Sequence, residues 1–308
     1  MATVTSEMIK ELREMTGAGM LDCKKALTEN DGNIDNAVDW LRKKGLSAAA
    51  KKSGRTATEG VVSIEVSSDG KSATISEVNC ETDFVSQNEN FTGFANSTTA
   101  HIHSGEYSSV EDVVSSTING TPFADHLSVT ISKIGENIVI RRFEKISLGG
   151  SGVINGYIHG NGKIGVVVAA ECDSQKTADH VKAILKDIAM HAAAMNPNYL
   201  DDTQVPVEDL ARETEVAKAQ LAKEGKPEAM WDKIIPGKLV KYKKDNCLVE
   251  QPFVKDDKKT VREALAAAAK EVGGSATLVR FVRFEVGEGL EKKACDFASE
   301  VAAQLGKA

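Results

Sequence analysis

The sequence lacks the features that mark membrane, secreted and metal-binding proteins. Its longest uncharged apolar run is residues 164–170, far too short to cross a bilayer. The first apolar residues are separated by charges, unlike those of a secretory signal peptide. The five cysteines are scattered and form no Cys-x-x-Cys pair, which argues against a disulfide framework or a zinc site and for a reducing compartment. We therefore expect a cytoplasmic protein without a membrane contact or a bound metal.

Aromatic residues and excess basic charge are also scarce. Only 5% of the residues are aromatic, so the cores must be built from Val, Ile, Leu and Ala. The net charge is -7, whereas a protein that wraps a nucleic acid needs a basic face, so we expect no direct nucleic-acid partner. The length of 308 residues, with 27% charged and 41% hydrophobic residues, is typical of a globular protein of two or three domains.

Residues 4–45 show the helical spacing of apolar residues in three short segments. Their apolar faces are Met8, Ile9, Leu12 and Met15, then Met20, Cys23 and Leu27, then Ile34, Ala37, Val38 and Leu41. Thr5 or Ser6 can cap the first helix and Asn33 the third. About forty residues are near the lower limit for an independent core, so we predict a small three-helix head.

A run of basic residues without a single acidic residue follows, from Arg42 to Arg55. Cations at a helix C-terminus, followed by a flexible linker, explain it most simply. Contact with an acidic partner surface or with ribosomal RNA is the alternative. We assign residues 1–55 to the helical head and this basic linker.

From residue 60 onward alternate residues are apolar, and the same layout recurs 92 residues later. The hairpin turn at Gly70 corresponds to Gly162, and Cys80 corresponds to Cys172. The similar segments 141–144 and 282–285 close the two units but are 141 residues apart, so the second unit should hold an insertion of about 49 residues, which is 141 minus 92.

The charged residues 201–245 have helical spacing and are broken at Gly225-Lys226-Pro227, which predicts an inserted antiparallel helical hairpin. The predicted fold class is therefore α+β, with a helical head, two related core units, the hairpin and a C-terminal helix over residues 290–304. The expected divisions after the head are core subdomain N at 56–148, core subdomain C at 149–200 and 246–287, the hairpin at 201–245, and a C-terminal module at 288–308.

Several motifs that suggest chemistry have simpler explanations. Residues 160–165 match the Gly-x-Gly-x-x-Gly pattern of dinucleotide sites, but a strand follows where a helix is required, so we predict a β-turn. His101 and His103 have no ligand partner at suitable spacing and are predicted to lie in a surface loop, whereas His191 is predicted to pack in a helix face. No nucleophile elbow, phosphate loop or convergent catalytic set is present. We therefore expect a protein that is not an enzyme and needs no cofactor.

The segment 79–85 lies where a strand ends and a helix has not begun, a place where binding loops often sit. Phe84 could simply be a hydrophobic staple for the next helix. The second unit, however, has the polar residues 174–177 at the equivalent place. Since a shared packing position should stay apolar, this difference favours a binding role for Phe84.

Residues 16–27 and 77–85 resemble the two signatures of the elongation factor Ts family, and segments 133–138, 164–166, 251–254 and 283–289 resemble further family segments in the same order. The resemblance covers nearly the whole chain. It implies a head similar to ubiquitin-associated (UBA) domains, two core subdomains, a coiled-coil hairpin used in dimerisation, and a C-terminal module.

The resemblance also implies a function in protein biosynthesis. Members of this family are guanine-nucleotide exchange factors for elongation factor Tu, which they make release GDP. The implied residues that dislocate Mg²⁺ in elongation factor Tu are Thr82, Asp83, Phe84 and Val85. Arg13 and Met20 would touch its GTPase domain, and His159 its third domain. A homodimer is a further implied partner. The alternative is a plain adaptor, in which the head binds and the core is a spacer.

Overall fold

A computed structural model describes residues 4–16 and 18–291, except for the side chain of Ala48. The predicted C-terminal helix lies outside the described residues from position 292 onward. In the described ranges, no helix is both long and apolar enough to cross a bilayer.

Three helices form the head, as predicted. They are α1 (Ser6–Thr16), α2 (Met20–Glu29) and α3 (Ile34–Lys52). Leu12, Cys23 and Leu27 are fully buried between them. The amide of Met8 donates to Thr5 Oγ1 (3.2 Å), and the side chain of Asn33 caps α3, so α1 and α3 each begin next to a side chain that accepts one of their first free amides.

The first core unit is a three-stranded antiparallel sheet in the order β1-β2-β5, covered by helices on one face. Its elements after α3 are, in chain order, β1 (Glu59–Val66), β2 (Ser72–Cys80), α4 (Asp83–Ser86), α5 (Glu89–Ser104), α6 (Val110–Val114), β3 (Thr117–Ile118), β4 (Thr121–Pro122), α7 (Phe123–Ile134) and β5 (Val139–Ser147).

The second core unit repeats this sheet in the order β6-β7-β10. Its elements are β6 (Gly152–His159), β7 (Ile164–Cys172), α8 (Gln175–Met195), α9 (Val207–Lys223), α10 (Trp231–Asn246), β8 (Pro252–Phe253), β9 (Asp256–Thr260), α11 (Val261–Glu271) and β10 (Ala276–Glu285), with short 3₁₀ turns at 202–204, 228–230 and 248–250. Residues 160–163 of the glycine-rich segment form the turn between β6 and β7, and residues 164–165 begin β7, so the prediction of a β-turn is confirmed.

The two sheets pack face to face, and each carries its helices on the outer face. Ile75, Ile154 and Val167 are fully buried between the sheets. Phe91 and Phe123 fill the helical side of the first sheet, and the apolar face of α8 fills that of the second. A side chain at Gly165 would collide with Val62 of the facing sheet, so this glycine permits the close approach of the two units.

The duplication is confirmed, but the predicted alignment of the closing strands is wrong by three residues. The strand β7 begins and ends 92 residues after β2. Ser76 pairs with Phe143, and Val168, which is 92 residues after Ser76, pairs with Phe281. The closing strands are therefore 138 residues apart (281 minus 143) instead of 141. The β-bulges fall at equivalent places in the two pairings, opposite Glu77/Val78 and opposite Ala169/Ala170, so they do not cause the shift. The pair Arg-Phe occurs twice in β10, at 280–281 and 283–284, and the first of these pairs is the equivalent of Arg142-Phe143.

The helical hairpin is confirmed. Its helices α9 and α10 meet through a small apolar cluster that includes Ala217, Leu221 and Ile235. The hairpin interrupts the second unit between α8 and β8. Its use in dimerisation and the exact domain divisions stay predictions.

The linker between head and core is helical where flexibility was expected. The helix α3 continues to Lys52, so most of the basic run is helical. Arg42 forms an ion pair with the buried carboxylate of Asp125 on α7, and Gly45 faces the backbone of Ser128 on the same helix. Lys51 and Lys52 lie in the last turn of α3, as expected of cations at a helix C-terminus. The flexible linker expected to follow was wrong for residues 46–52, because contacts with α7 hold α3 against the core.

The prediction for His101 and His103 was also wrong, because both lie in α5 and not in a surface loop. The Nε2 atom of His101 is 2.8 Å from both Ser116 Oγ and Tyr107 Oη, and its ring stacks on Phe123. The many Ser and Thr residues of this segment conceal its helical apolar face in the sequence. The interpretation of His191 as a packing residue is confirmed, since it is fully buried in α8.

The partners of His191 fix its protonation state. Its Nδ1 accepts from the Val254 amide (3.2 Å), so Nδ1 carries no proton, and Nε2 faces Gln251 Oε1 at 2.9 Å. Burial lowers the pKa of His191, although the hydrogen bond with Gln251 opposes this. Burial lowers the pKa of His101 and His126 as well. Below about pH 6.5 the unfolded chain binds protons that the folded chain resists.

We expect the free energy of unfolding to fall as the pH is lowered from 7.5 to 5.5, by at most about 1.4 kcal/mol per pH unit for each of these histidines. Urea unfolding at several pH values measures it. His191→Gln should reduce the slope, because it removes one of the histidines whose pKa burial lowers. Equal slopes in wild type and His191→Gln would contradict this assignment.

Candidate functional site

The candidate site is a single helical turn at the end of β2. The helix α4 contains only Asp83–Ser86, and Thr82 caps it by accepting the Val85 amide at Oγ1 (3.3 Å). Ser86 is buried and donates to the Asp83 carbonyl (2.7 Å), while Val85 packs against the core of the first unit. These contacts fix the inner side of the turn.

The outer side of the same turn is exposed. Phe84 exposes 85% of its surface, and Asp83 beside it is also exposed. A staple would bury its ring against the following helix, so this exposure excludes the staple interpretation. An isolated, fully presented aromatic ring next to a carboxylate is suited to insertion into a partner.

Glu136, in the loop between α7 and β5, stabilises the start of the turn through hydrogen bonds. Its Oε2 accepts the backbone amides of Glu81 and Thr82, each at 3.0 Å, and its Oε1 accepts the Thr82 hydroxyl at 2.6 Å. Sequence reasoning missed this residue. It lies 54 residues from Thr82, and no spacing or periodicity signals such a contact; only its place in the family segment 133–138 could have drawn attention to it.

A second set of hydrogen bonds closes the same loop. Glu81 Oε1 accepts the Asn137 amide at 2.6 Å, and the buried Asn137 side chain donates to the Arg55 carbonyl at 2.8 Å. Arg55 in turn lies 3.5 Å from Glu81 Oε1. The loop before Phe84 is therefore connected to the segment that leaves the head.

Beneath the turn, β2 carries a fully buried charge at Glu77. This carboxylate binds Arg141 Nη1 (2.9 Å), Arg142 Nε (2.7 Å) and the amide of Gly287 (2.8 Å). Burial opposes its ionisation, but these donors prevail and lower the pKa of Glu77. Arg142 also stacks on Phe284 at 4.2 Å, so the network joins both core units below the tip.

The thiol nearest the tip is not a nucleophile. Cys80 is buried, its Sγ donates to the Thr82 carbonyl at 3.2 Å, and burial raises the pKa of Cys80 to about 12. Among the described residues no group of three or more His, Cys, Asp and Glu side chains could hold a metal ion. What the turn offers is an apolar ring and a free carboxylate, which suit binding.

The equivalent turn of the second unit is built differently. Ser174 caps α8 through the Thr177 amide (3.2 Å), as Thr82 caps α4. The helix that follows is 21 residues long, compared with four in the first unit, and Lys176 stands at the position of Phe84. The difference seen in the sequence is therefore a difference in architecture, and only the first unit presents an aromatic ring here.

The head presents the second candidate surface. Met20 exposes 60% of its surface, and with Arg13 it lines a cleft of about 550 Å³ that Lys133 of α7 also borders. Met15 and Leu21 nearby in the chain are exposed as well. Two of the predicted partner contacts, Arg13 and Met20, therefore share one surface.

The third predicted contact, His159, is in a different unit. It ends β6, its side chain is exposed, and its Nδ1 lies 3.1 Å from Tyr157 Oη. The neighbouring Ile158 is also partly exposed. The structure thus brings Thr82, Asp83, Phe84 and Val85 together but places the head residues and His159 on separate elements.

Comparisons with known proteins agree with this architecture. The family described as Elongation factor TS matches residues 81–288, a range that includes Phe84, Glu136 and both closing strands. An elongation factor Ts of Nautilia profundicola is 54% identical over 306 residues, covering 99% of this chain and all of the relative. That of a Nitratiruptor species is 53% identical over 302 residues, with 98% and 99% covered. That of Clostridium novyi is 50% identical over 307 residues, with 99% of each covered. On these matches, the chain belongs to the elongation factor Ts family of translation elongation factors.

Proposed function

We propose that this protein binds elongation factor Tu in its GDP-bound state and promotes release of the nucleotide, without catalysing a chemical reaction. The observation that carries the proposal is the tip at residues 82–85. It exposes an aromatic ring on a turn that is fixed by the hydrogen bond from Ser86 to the Asp83 carbonyl and by the hydrogen bond from Thr82 to Glu136. A rigid apolar side chain can enter a crevice of the partner at little cost in conformational entropy.

The proposed mechanism is displacement of the supports of the bound nucleotide. In a GTPase, a phosphate-binding loop and Mg²⁺ hold GDP, and Mg²⁺ tolerates little departure from octahedral geometry. Phe84 wedges between elements beside that site, and Asp83 orients the loop or competes for partner groups near the metal. Because packed elements switch between discrete arrangements, a small intrusion is amplified into loss of the metal site.

Thermodynamic linkage fixes the form of the cycle. If this protein weakens GDP binding by some factor, GDP weakens the binding of this protein by the same factor. A transient ternary complex followed by release of GDP is therefore expected. The head surface with Arg13 and Met20, and the end of β6 with His159, supply affinity at sites separate from the wedge.

Deletion of the head tests this division of work against the adaptor alternative. We expect a chain lacking residues 1–55 to require more protein for half-maximal GDP release but to retain release at saturation, because the tip belongs to the core. Fluorescent-GDP dissociation at increasing concentration of the truncated chain measures both quantities. Complete loss of binding would support an adaptor whose core is only a spacer.

The remaining predictions belong to the same proposal. We propose a cytoplasmic protein in which the division into head, core subdomains, hairpin and C-terminal module follows the ranges given by the sequence. The hairpin α9–α10 is the proposed element for a homodimer.

A further inference from the structure

We propose that Glu136 is a positioning residue for nucleotide exchange, acting only through Phe84. The inference rests on the proposed function and adds to it a residue that touches neither nucleotide nor partner. Glu136 is half-buried in the loop between α7 and β5, and its carboxylate faces the turn that precedes Phe84.

The helix α4 is too short to be stable on its own. A helix of four residues closes little more than one hydrogen-bonded turn, which is unstable alone in water. The three hydrogen bonds to Glu136 supply what the turn lacks, since bonds to an ionised acceptor are stronger than neutral ones. With its hydrogen given to Glu136, the Thr82 hydroxyl is oriented to accept the Val85 amide.

The contacts of Glu136 are with the loop before Phe84 and not with the buried core. They join Glu81 and Thr82 on one side to the segment after α7 on the other. Asn137 repeats the connection from the adjacent position through Glu81. Loss of Glu136 therefore leaves the orientation of the Phe84 side chain less fixed, whereas the buried cluster of the first unit stays intact.

The second unit provides a matched comparison. Asp173, 92 residues after Glu81, accepts the Ser275 amide at 3.0 Å and the Thr177 hydroxyl at 2.6 Å, so it also anchors the start of a helix. That helix carries Lys176 in place of an aromatic residue. A carboxylate that only stabilises the fold should behave like Asp173, whereas a positioning residue for the tip should not.

The test is GDP dissociation from elongation factor Tu, followed with fluorescent GDP at saturating concentrations of each variant. Glu136→Ala should lower the limiting rate by about tenfold, because the rate scales with the fraction of bound tips in the competent conformation. The concentration for half-maximal release should change little, since affinity comes largely from other surfaces. Glu136→Gln, which keeps the size of the side chain, should be intermediate, and Asp173→Ala should keep the wild-type limiting rate.

Two further measurements make the proposal falsifiable. In a Phe84→Ala background, Glu136→Ala should have no additional effect on the limiting rate, since a directed ring no longer exists. Hydrogen exchange of the free protein should show faster exchange of the Glu81, Thr82 and Val85 amides in Glu136→Ala.

Three results would overturn the role of Glu136: a wild-type limiting rate in Glu136→Ala, an additive loss in the Phe84→Ala background, or an equal loss in Asp173→Ala. A Phe84→Ala variant with wild-type rates would overturn the wedge itself and, with it, this role. Slow Phe84→Ala exchange together with normal Glu136→Ala exchange would leave the wedge intact and remove only Glu136.

Discussion

Replacing Phe84 with alanine is expected to slow GDP release from elongation factor Tu by roughly 10- to 100-fold at saturating concentration. The estimate follows from the burial of one phenylalanine side chain, about 1.5–3 kcal/mol, if that burial occurs only when the nucleotide site is opened. Dissociation of fluorescent GDP, measured by stopped-flow mixing, gives the limiting rate. Phe84→Leu should give a limiting rate between those of the wild type and Phe84→Ala, because leucine keeps part of the apolar area.

The fold should not change, because Phe84 exposes 85% of its surface and makes no core contact to lose. Surface substitutions of this kind usually change stability by no more than about 0.5 kcal/mol. Lys176→Ala, at the equivalent position of the second unit, is the matched control and should leave the limiting rate unchanged. Wild-type exchange by Phe84→Ala would show that the wedge lies elsewhere.

The largest expected effect on stability is at Glu77. Glu77→Ala removes the acceptor shared by Arg141, Arg142 and the amide of Gly287. Breaking a buried ion pair by removing one partner costs about 3–5 kcal/mol, and the partial exposure of both arginines favours about 3 kcal/mol here. Because Arg142 also stacks on Phe284, both core units should be affected.

Urea unfolding at pH 7 measures this loss, with Glu65→Ala as the control, since the Glu65 side chain is exposed near the end of β1. The control should shift stability by about 0.5 kcal/mol or less. The low pKa of Glu77 adds a pH test. Its contribution is present above the pKa of an unfolded glutamate, about 4.3, and is lost as the pH falls through the lower folded value. Equal stability of the two variants would contradict the role of the buried network.

Much of the fold follows from local patterns in the sequence. The helical spacing of Met8 and Leu12, the cap at Asn33 and the alternation around Ile64 each reflect physics within a few residues. The repeat of 92 residues and the inserted hairpin are visible for the same reason, since each is a pattern of turns and apolar residues. These expectations were confirmed in the head, both sheets and the hairpin.

The failures all involve contacts between distant residues. The three-residue shift of β10 depends on which of its two Arg-Phe pairs, 280–281 or 283–284, takes the place opposite β7 that Arg142-Phe143 takes opposite β2. The straight continuation of α3 depends on Asp125, 83 residues after Arg42. His101 lies in a helix whose apolar face becomes clear only once Phe123 packs on it.

In the candidate site, too, the sequence indicated residues that are adjacent in the chain and missed a contact between distant residues. Phe84 drew attention because its segment carries an aromatic residue that the repeat lacks, and the family resemblance implied the set Thr82, Asp83, Phe84 and Val85, whose role stays a prediction. Glu136 was missed because its role exists only in three dimensions. The exposure of Phe84 excludes the staple, which the sequence alone left open beside a binding role.

The most direct test of the account is to mix the purified chain with elongation factor Tu carrying a fluorescent GDP and to follow release of the nucleotide. We expect release to accelerate with the concentration of this protein until it saturates. We also expect GDP to weaken the binding of the two proteins by the same factor by which this protein weakens GDP binding. Release at the spontaneous rate, with no complex formed in the presence or absence of nucleotide, would contradict it.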